Sequence, residues 1–165
     1  MKSLALSLLL SSIIALPASA ENVPALTPEN LETVIGADWS GSLTYLNYQE
    51  PFEDVTIPAE IEVEVIENGL AFAYNYPAEP QANSTGEALI SADGTSFVGA
   101  PIVSNQVLET GSRQVITLED CEDMGREAIC AMTYTFAANA FQIEKMVTVK
   151  GESESFRRNE YVFTR

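Results

Sequence analysis

From Ile57 to Val65 the chain alternates. Ile57, Ala59, Ile61, Val63 and Val65 are separated by Pro58, Glu60, Glu62 and Glu64. A period of two with acid on one side is the signature of a β-strand with one face in a core and the other in water. The same spacing recurs at Leu70, Phe72, Tyr74 and Tyr76, and at Trp39, Leu43 and Tyr45 with Gly41 between them. Turn signals separate such stretches at Asn68-Gly69, Asp93-Gly94, Thr110-Gly111, Gly125-Arg126 and Gly151–Glu154. About ten strand segments follow one another with short connections, including Thr95–Ala100, Pro101–Leu108 and Phe156–Phe163. Short connections suit a meander, whereas a Greek-key sandwich needs some long crossings. The expected fold is all-β: a closed antiparallel up-and-down β-barrel of about 8–10 strands, with a short N-terminal helix capping one end.

That helix has its own start and stop. Thr27 is a good N-cap, Pro28 suits the first helical position and Glu29 the first turn. Leu31, Val34 and Ile35 make one apolar face, and Gly36 supplies the stop. So short a helix must dock to persist. Before it, residues 1–20 read as a secretory signal peptide. Met1-Lys2 is the basic start, Leu4–Leu16 the apolar run, and Ala18-Ser19-Ala20 an A-x-A cleavage site. The organisation is then signal peptide 1–20, leader and capping helix 21–37 with a loose Glu21–Leu26, and barrel 38–165. The expected destination is the periplasm or the medium.

Composition narrows the function classes. Twenty-four acidic residues face eight basic ones, a formal net charge of −16 with no histidine. Such a surface repels phosphate backbones and anionic headgroups, which excludes nucleic acid as a partner. Two cysteines, Cys121 and Cys130, flank a polar hairpin tip in a chain read as exported. Pairing about Gly125-Arg126 would set them directly across from each other, and a structural disulfide is expected, with two free buried thiols as the alternative. Histidine is missing, and no G-x-S-x-G elbow or phosphate-cradling glycine motif occurs, so binding is favoured over catalysis. Neither cofactor nor metal is implied. The acids Glu119, Asp120, Glu122 and Asp123 lack the spacing and glycine of a calcium loop and read as a solvated hairpin.

Around Trp39 the chain resembles the calycin superfamily, the lipocalin-like and fatty-acid-binding-protein-like barrels. A short helix runs into Gly36-Ala37-Asp38-Trp39, one residue longer than the lipocalin Gly-x-Trp opening. The first strand reads Trp-x-Gly-x-Leu-x-Tyr, and the last carries Phe156-Arg157-Arg158-Asn159-Glu160-Tyr161. The resemblance implies that a basic residue of the final strand packs across the opening tryptophan; Arg157 and Arg158 are the two choices. It also implies an exported, lipocalin-like bacterial barrel that binds a small, mostly apolar ligand inside. Trp39, Tyr45, Phe72, Tyr74 and Tyr76 would line that pocket, with Arg158 as polar anchor. Each could instead be ordinary core, and the arginines structural. A second function class is a protein-binding or inhibitor module working through loops such as Pro77–Ser84, around a solid core. A third, an outer-membrane barrel, is disfavoured by the acidic outward faces.

Overall fold

A computed structural model describes residues Val23–Arg165; the signal-peptide reading lies outside the described residues. Ten antiparallel strands form one sheet. They are β1 (Gly36–Leu46), β2 (Asp54–Ile66), β3 (Gly69–Asn75), β4 (Ser84–Leu89), β5 (Ser96–Phe97), β6 (Ala100–Val107), β7 (Arg113–Asp123), β8 (Arg126–Phe136), β9 (Ala140–Val149) and β10 (Ser155–Thr164). Each pairs with its chain neighbours, and β1 pairs with β10 from Ser40↔Thr164 to Tyr45↔Asn159. β4 meets β5 only through the bridge Ile90↔Phe97, with the Val98 N–H donating to Leu89 O at 2.9 Å. The result is a nearly closed up-and-down barrel.

Alternation decides which residues fill it. Ala59, Ile61 and Val63 of β2 are buried while Glu60, Glu62 and Glu64 are exposed. Pro58 stands opposite Ser42 of β1, and β3 begins pairing with β2 only at Glu60. Its missing N–H therefore falls where β2 has one neighbour. Gly41 is required by close approach: a Cβ there would meet Val162 O of β10 at 1.8 Å.

One end of the barrel is packed solid. Trp39, Phe97, Phe136, Phe141 and Phe163 are fully buried, with Phe136 and Phe141 stacked at 5.4 Å and Trp39 edge-on to Phe141 at 6.3 Å. A 3-10 helix, Pro28–Val34, closes this end by burying Leu31 and Val34 completely. Its entry is fixed where the Thr27 N–H donates to Asn30 Oδ1 at 3.1 Å. The indole N–H of Trp39 donates to Val34 O at 2.8 Å, satisfying one terminal carbonyl of the helix. The leader is not loose from Pro24 on. Leu26 is buried, its N–H donates to Gly94 O at 2.9 Å, and Asn105 Nδ2 donates to Pro24 O at 2.9 Å.

The latch across Trp39 corrects the sequence reading. Neither Arg157 nor Arg158 performs it; the Arg165 guanidinium lies 4.4 Å from the indole centroid. Its nitrogens also donate to the carbonyls of Thr33, Ile35 and Ala138, each at 2.9 Å. One side chain thus ties the helix, the tryptophan and the β8–β9 turn together. Antiparallel pairing explains the difference: Ser40 stands opposite Thr164, so the start of β1 meets the end of β10, while Arg157 and Arg158 lie beyond Tyr45↔Asn159 at the far end.

Two hairpins also differ from the sequence reading. Thr95–Ala100 does not run as one strand: Val98 (φ 53) and Gly99 (φ 81) turn the chain back after the two residues of β5. At the β7–β8 tip, Asp123 pairs with Arg126, so Met124 and Gly125 form the turn, one position earlier than expected. Cys121 consequently faces Ala128 and Cys130 faces Glu119. The disulfide Cys121–Cys130 therefore forms on the diagonal, across 5.9 Å between Cα atoms. Among the described residues no helix is long and apolar enough to cross a membrane.

Candidate functional site

The barrel is solid at the helix end and hollow between that core and a smaller cluster further along. On β8 and β9 the inward positions form layers: Phe136 with Phe141, Tyr134 with Ile143, Met132 with Lys145, then Cys130 with Val147. Beyond the aromatic core, Cys130, Ala128 and Val147 make a second small apolar cluster with Cys121 and Phe156. The Met132–Lys145 layer lies between these two clusters, and there a cavity of about 310 Å³ opens.

Its walls come from six segments. β3 supplies Phe72 and Tyr74, and β4 supplies Gly86 and Glu87; Gly86 leaves the wall low because it carries no side chain. Val98 borders it from the β5–β6 turn, Met132 and Tyr134 from β8, and Ile143 and Lys145 from β9. Asn159 and Tyr161 of β10 complete it, with Asn159 brought inward by the shift at Arg158. Tyr74 packs on Tyr161 at 5.3 Å and edge-on to Phe72 at 5.9 Å. Phe97 supports Tyr134 from behind at 4.8 Å.

The phenols are held neutral. Burial is the main cause at each: it pushes Tyr134 up to about 12, with help from the Glu119 carboxylate, and raises Tyr74 and Tyr161 further. Tyr161 shares a hydrogen bond of 2.8 Å with Tyr76. No such protein partner engages the hydroxyls of Tyr74 and Tyr134 among the described residues, and both line the cavity.

Access is lateral. On the edge away from β3, β4 has no second partner among the described residues along Ser84–Ala88, because the chain turns back at Val98–Gly99 instead of continuing beside it. β7 is likewise unpaired on its β6 side beyond Thr117. The two free edges frame a slot beside Gly86.

The site residues expected from sequence divide accordingly. Phe72 and Tyr74 line the cavity. Tyr76 reaches it through Tyr161, and Tyr45 pairs with Asn159 across β1–β10 without being part of the lining. Trp39 lies in the solid end under the helix. Arg158 is occupied elsewhere: it donates to Leu46 O at 2.9 Å, covers the Tyr48 ring at 4.3 Å and stands 3.7 Å from buried Asp123. The Tyr48 hydroxyl in turn donates to Asp123, which straps the β1–β2 loop to the β7–β8 hairpin. Arg157 binds Asp54 at 2.7 Å and Glu160 at 2.8 Å.

Lys145 and Asn159 were missed. For Lys145 a signal existed, since Phe141, Ile143, Lys145, Val147 and Val149 share one strand face. In the acidic hairpin, alternation sends Glu119 and Asp123 to one face of β7 and Asp120 and Glu122 to the other, and Asp120 pairs with Lys150 at 2.7 Å. A second concavity of about 450 Å³ lies outside the wall, floored by Ala71 and Ala73 and edged by Glu62, Glu64 and Glu87. It is an acidic surface groove.

By fold and site the molecule is a nearly closed ten-stranded barrel with an aromatic-walled interior cavity. No family model matches the chain, and no curated protein matches it either.

Proposed function

We propose that the chain is an exported, calycin-like barrel that binds a small, mostly apolar molecule in its interior. The observation that carries this reading is the cavity between Tyr74, Tyr134 and Tyr161, bordered by two free strand edges. Pockets for small molecules are concave, largely apolar and set with a few polar groups. The calycin likeness is supported by the ten-strand meander, the capping helix and a basic side chain over the opening tryptophan. Export is supported by the signal-like residues 1–20 and by the disulfide, which persists in oxidising compartments.

The test is thermal unfolding of the mature chain against a panel of small apolar molecules, beside the cavity-filling variant Met132→Trp. Binding raises the midpoint in proportion to ligand excess over Kd. A rise confined to the wild type supports the reading; identical responses from both proteins would place the site elsewhere.

A second reading, a partner-binding module, is favoured by two exposed apolar tips. Phe52 and Met124 are each more than half exposed, at φ 49 and φ 50, on the two hairpins that Tyr48 and Asp123 strap together. The loop through Pro80–Ala82 presents no aromatic side chain of this kind. Under this reading Phe52→Ser with Met124→Ser abolishes pull-down of the partner and leaves small-molecule binding intact.

A further inference from the structure

Lys2 apart, all the basic side chains of this chain are described, and among the described residues every one except Lys145 has a partner. Arg126 pairs with Glu152, Lys150 with Asp120, Arg157 with Asp54 and Arg158 with Asp123. Arg113 donates to Asn105 Oδ1 at 2.7 Å, and Arg165 to three carbonyls. With 24 acidic residues against 8 basic ones, a cation without a partner is the exception here. Lys145 is half-buried on the inward face of β9, between Met132 on β8 and Asn159 on β10. Glu144 and Glu160 stand opposite each other on the other face of the same strands. Glu87 borders the cavity on β4, opposite Ala71, and Glu119 stands one layer further out, at Cys130; neither forms an ion pair with Lys145.

We infer that the cavity takes a compact planar acid, an aromatic or conjugated carboxylate, with its acid group on Lys145 and Asn159 and its body among Tyr74, Tyr134 and Tyr161. This rests on the binding reading above and specifies its ligand class. An ammonium and a side-chain amide are the donors a carboxylate needs, and ionic hydrogen bonds are roughly twice as strong as neutral ones. The phenols of Tyr74 and Tyr134 stay protonated, so they donate to an acceptor instead of repelling it. Aromatic walls favour a flat body, which gains offset or edge-on contacts. Size excludes a long acyl chain lying wholly inside. At about 310 Å³ the space equals about ten waters, hence on the order of a dozen non-hydrogen atoms.

The experiment is calorimetric titration of the mature chain with naphthalene-2-carboxylate and with naphthalene-2-carboxamide, which differ in charge and not in size. Wild type, Lys145→Met and Lys145→Arg are compared after circular dichroism establishes that each is folded. Wild type should bind the carboxylate about tenfold tighter than the amide. Lys145→Met should lose that preference, weakening the carboxylate far more than the amide, and Lys145→Arg should restore at least part of it. Equal binding of both compounds to the wild type, or a preference that survives Lys145→Met, overturns the role of Lys145 and leaves the apolar cavity standing. Failure of both compounds to bind the wild type overturns both readings.

Discussion

Arg165 shows how much one side chain can organise when its donors are spread over three carbonyls. A guanidinium presents five N–H groups in a fixed fork, and here they close the exit of the helix and the β8–β9 turn while the plane covers Trp39. The residue is solvent-exposed, so screening discounts its contribution. Arg165→Ala should cost about 1–2 kcal/mol in urea unfolding and shift the emission of Trp39. Arg165→Lys should recover little, because the three N–H groups of an ammonium radiate from one nitrogen and cannot span carbonyls that a planar fork reaches from three. The tyrosines yield a second expectation. Tyr48, Tyr74, Tyr134 and Tyr161 all have raised folded-state values, so the unfolded chain ionises first as pH rises past about 10. Their contribution is intact below that pH and is lost as it climbs towards about 12 and beyond. Phenolate absorbance should therefore rise late and together with loss of β-structure. At this scale the sequence was partly readable. Lys145 shows its parity in five residues, and Arg165 continues the face of Tyr161 and Phe163, whereas Asn159 is hidden behind the shift at Arg158, and nothing local announces an irregular residue in so polar a strand.

Strands were legible because each carries its own alternation; the gap in the wall was not. Thr95–Ala100 has the composition of a full strand, yet Val98 takes a positive φ and β5 ends after Phe97. That choice is tertiary: Phe97 is fully buried against Tyr134, and Ala100 then pairs back onto it. The slot follows from where a chain turns, not from what one strand contains. Its free edges can be detected directly. In hydrogen exchange, slot-facing amides of β4 between Ser84 and Ala88 should lose protection before those of β9, which is paired on both sides. Two further changes belong to elements. Gly41→Ala drives a methyl into Val162 O and should cost about 3 kcal/mol or more, read as a lower urea midpoint. Replacing Cys121 and Cys130 by serine should cost roughly 2–3 kcal/mol, since the closed loop is short. The loss would open the small Ala128–Val147 cluster and leave the helix end packed.

The whole molecule has two ends of different character, a solid aromatic core under a helix and a hollow, strapped mouth with an acidic exterior. Fold class, the helix and its stop, and the pairing of the cysteines could all be read from spacing, because each is set by neighbours in sequence. Barrel closure is different in kind. Every other strand pair joins consecutive segments, but β1 and β10 bring Ser40 to Thr164, near opposite ends of the described chain. This seam carries the largest loop-closure entropy in the molecule, so its contacts are the costliest to form early in folding. Hairpins such as β7–β8, closed by two residues, are the natural nucleus. Truncating Leu43 or Tyr161 on the seam should then speed unfolding with little change in folding rate, while truncating Val115 or Tyr134 should slow folding. A circular permutant that joins the two ends and opens at Val98–Gly99 would turn the seam into a local connection and place the new ends where the wall is already interrupted. It should refold faster than the parent chain, so the order of assembly in this barrel is a property of where the chain happens to be cut.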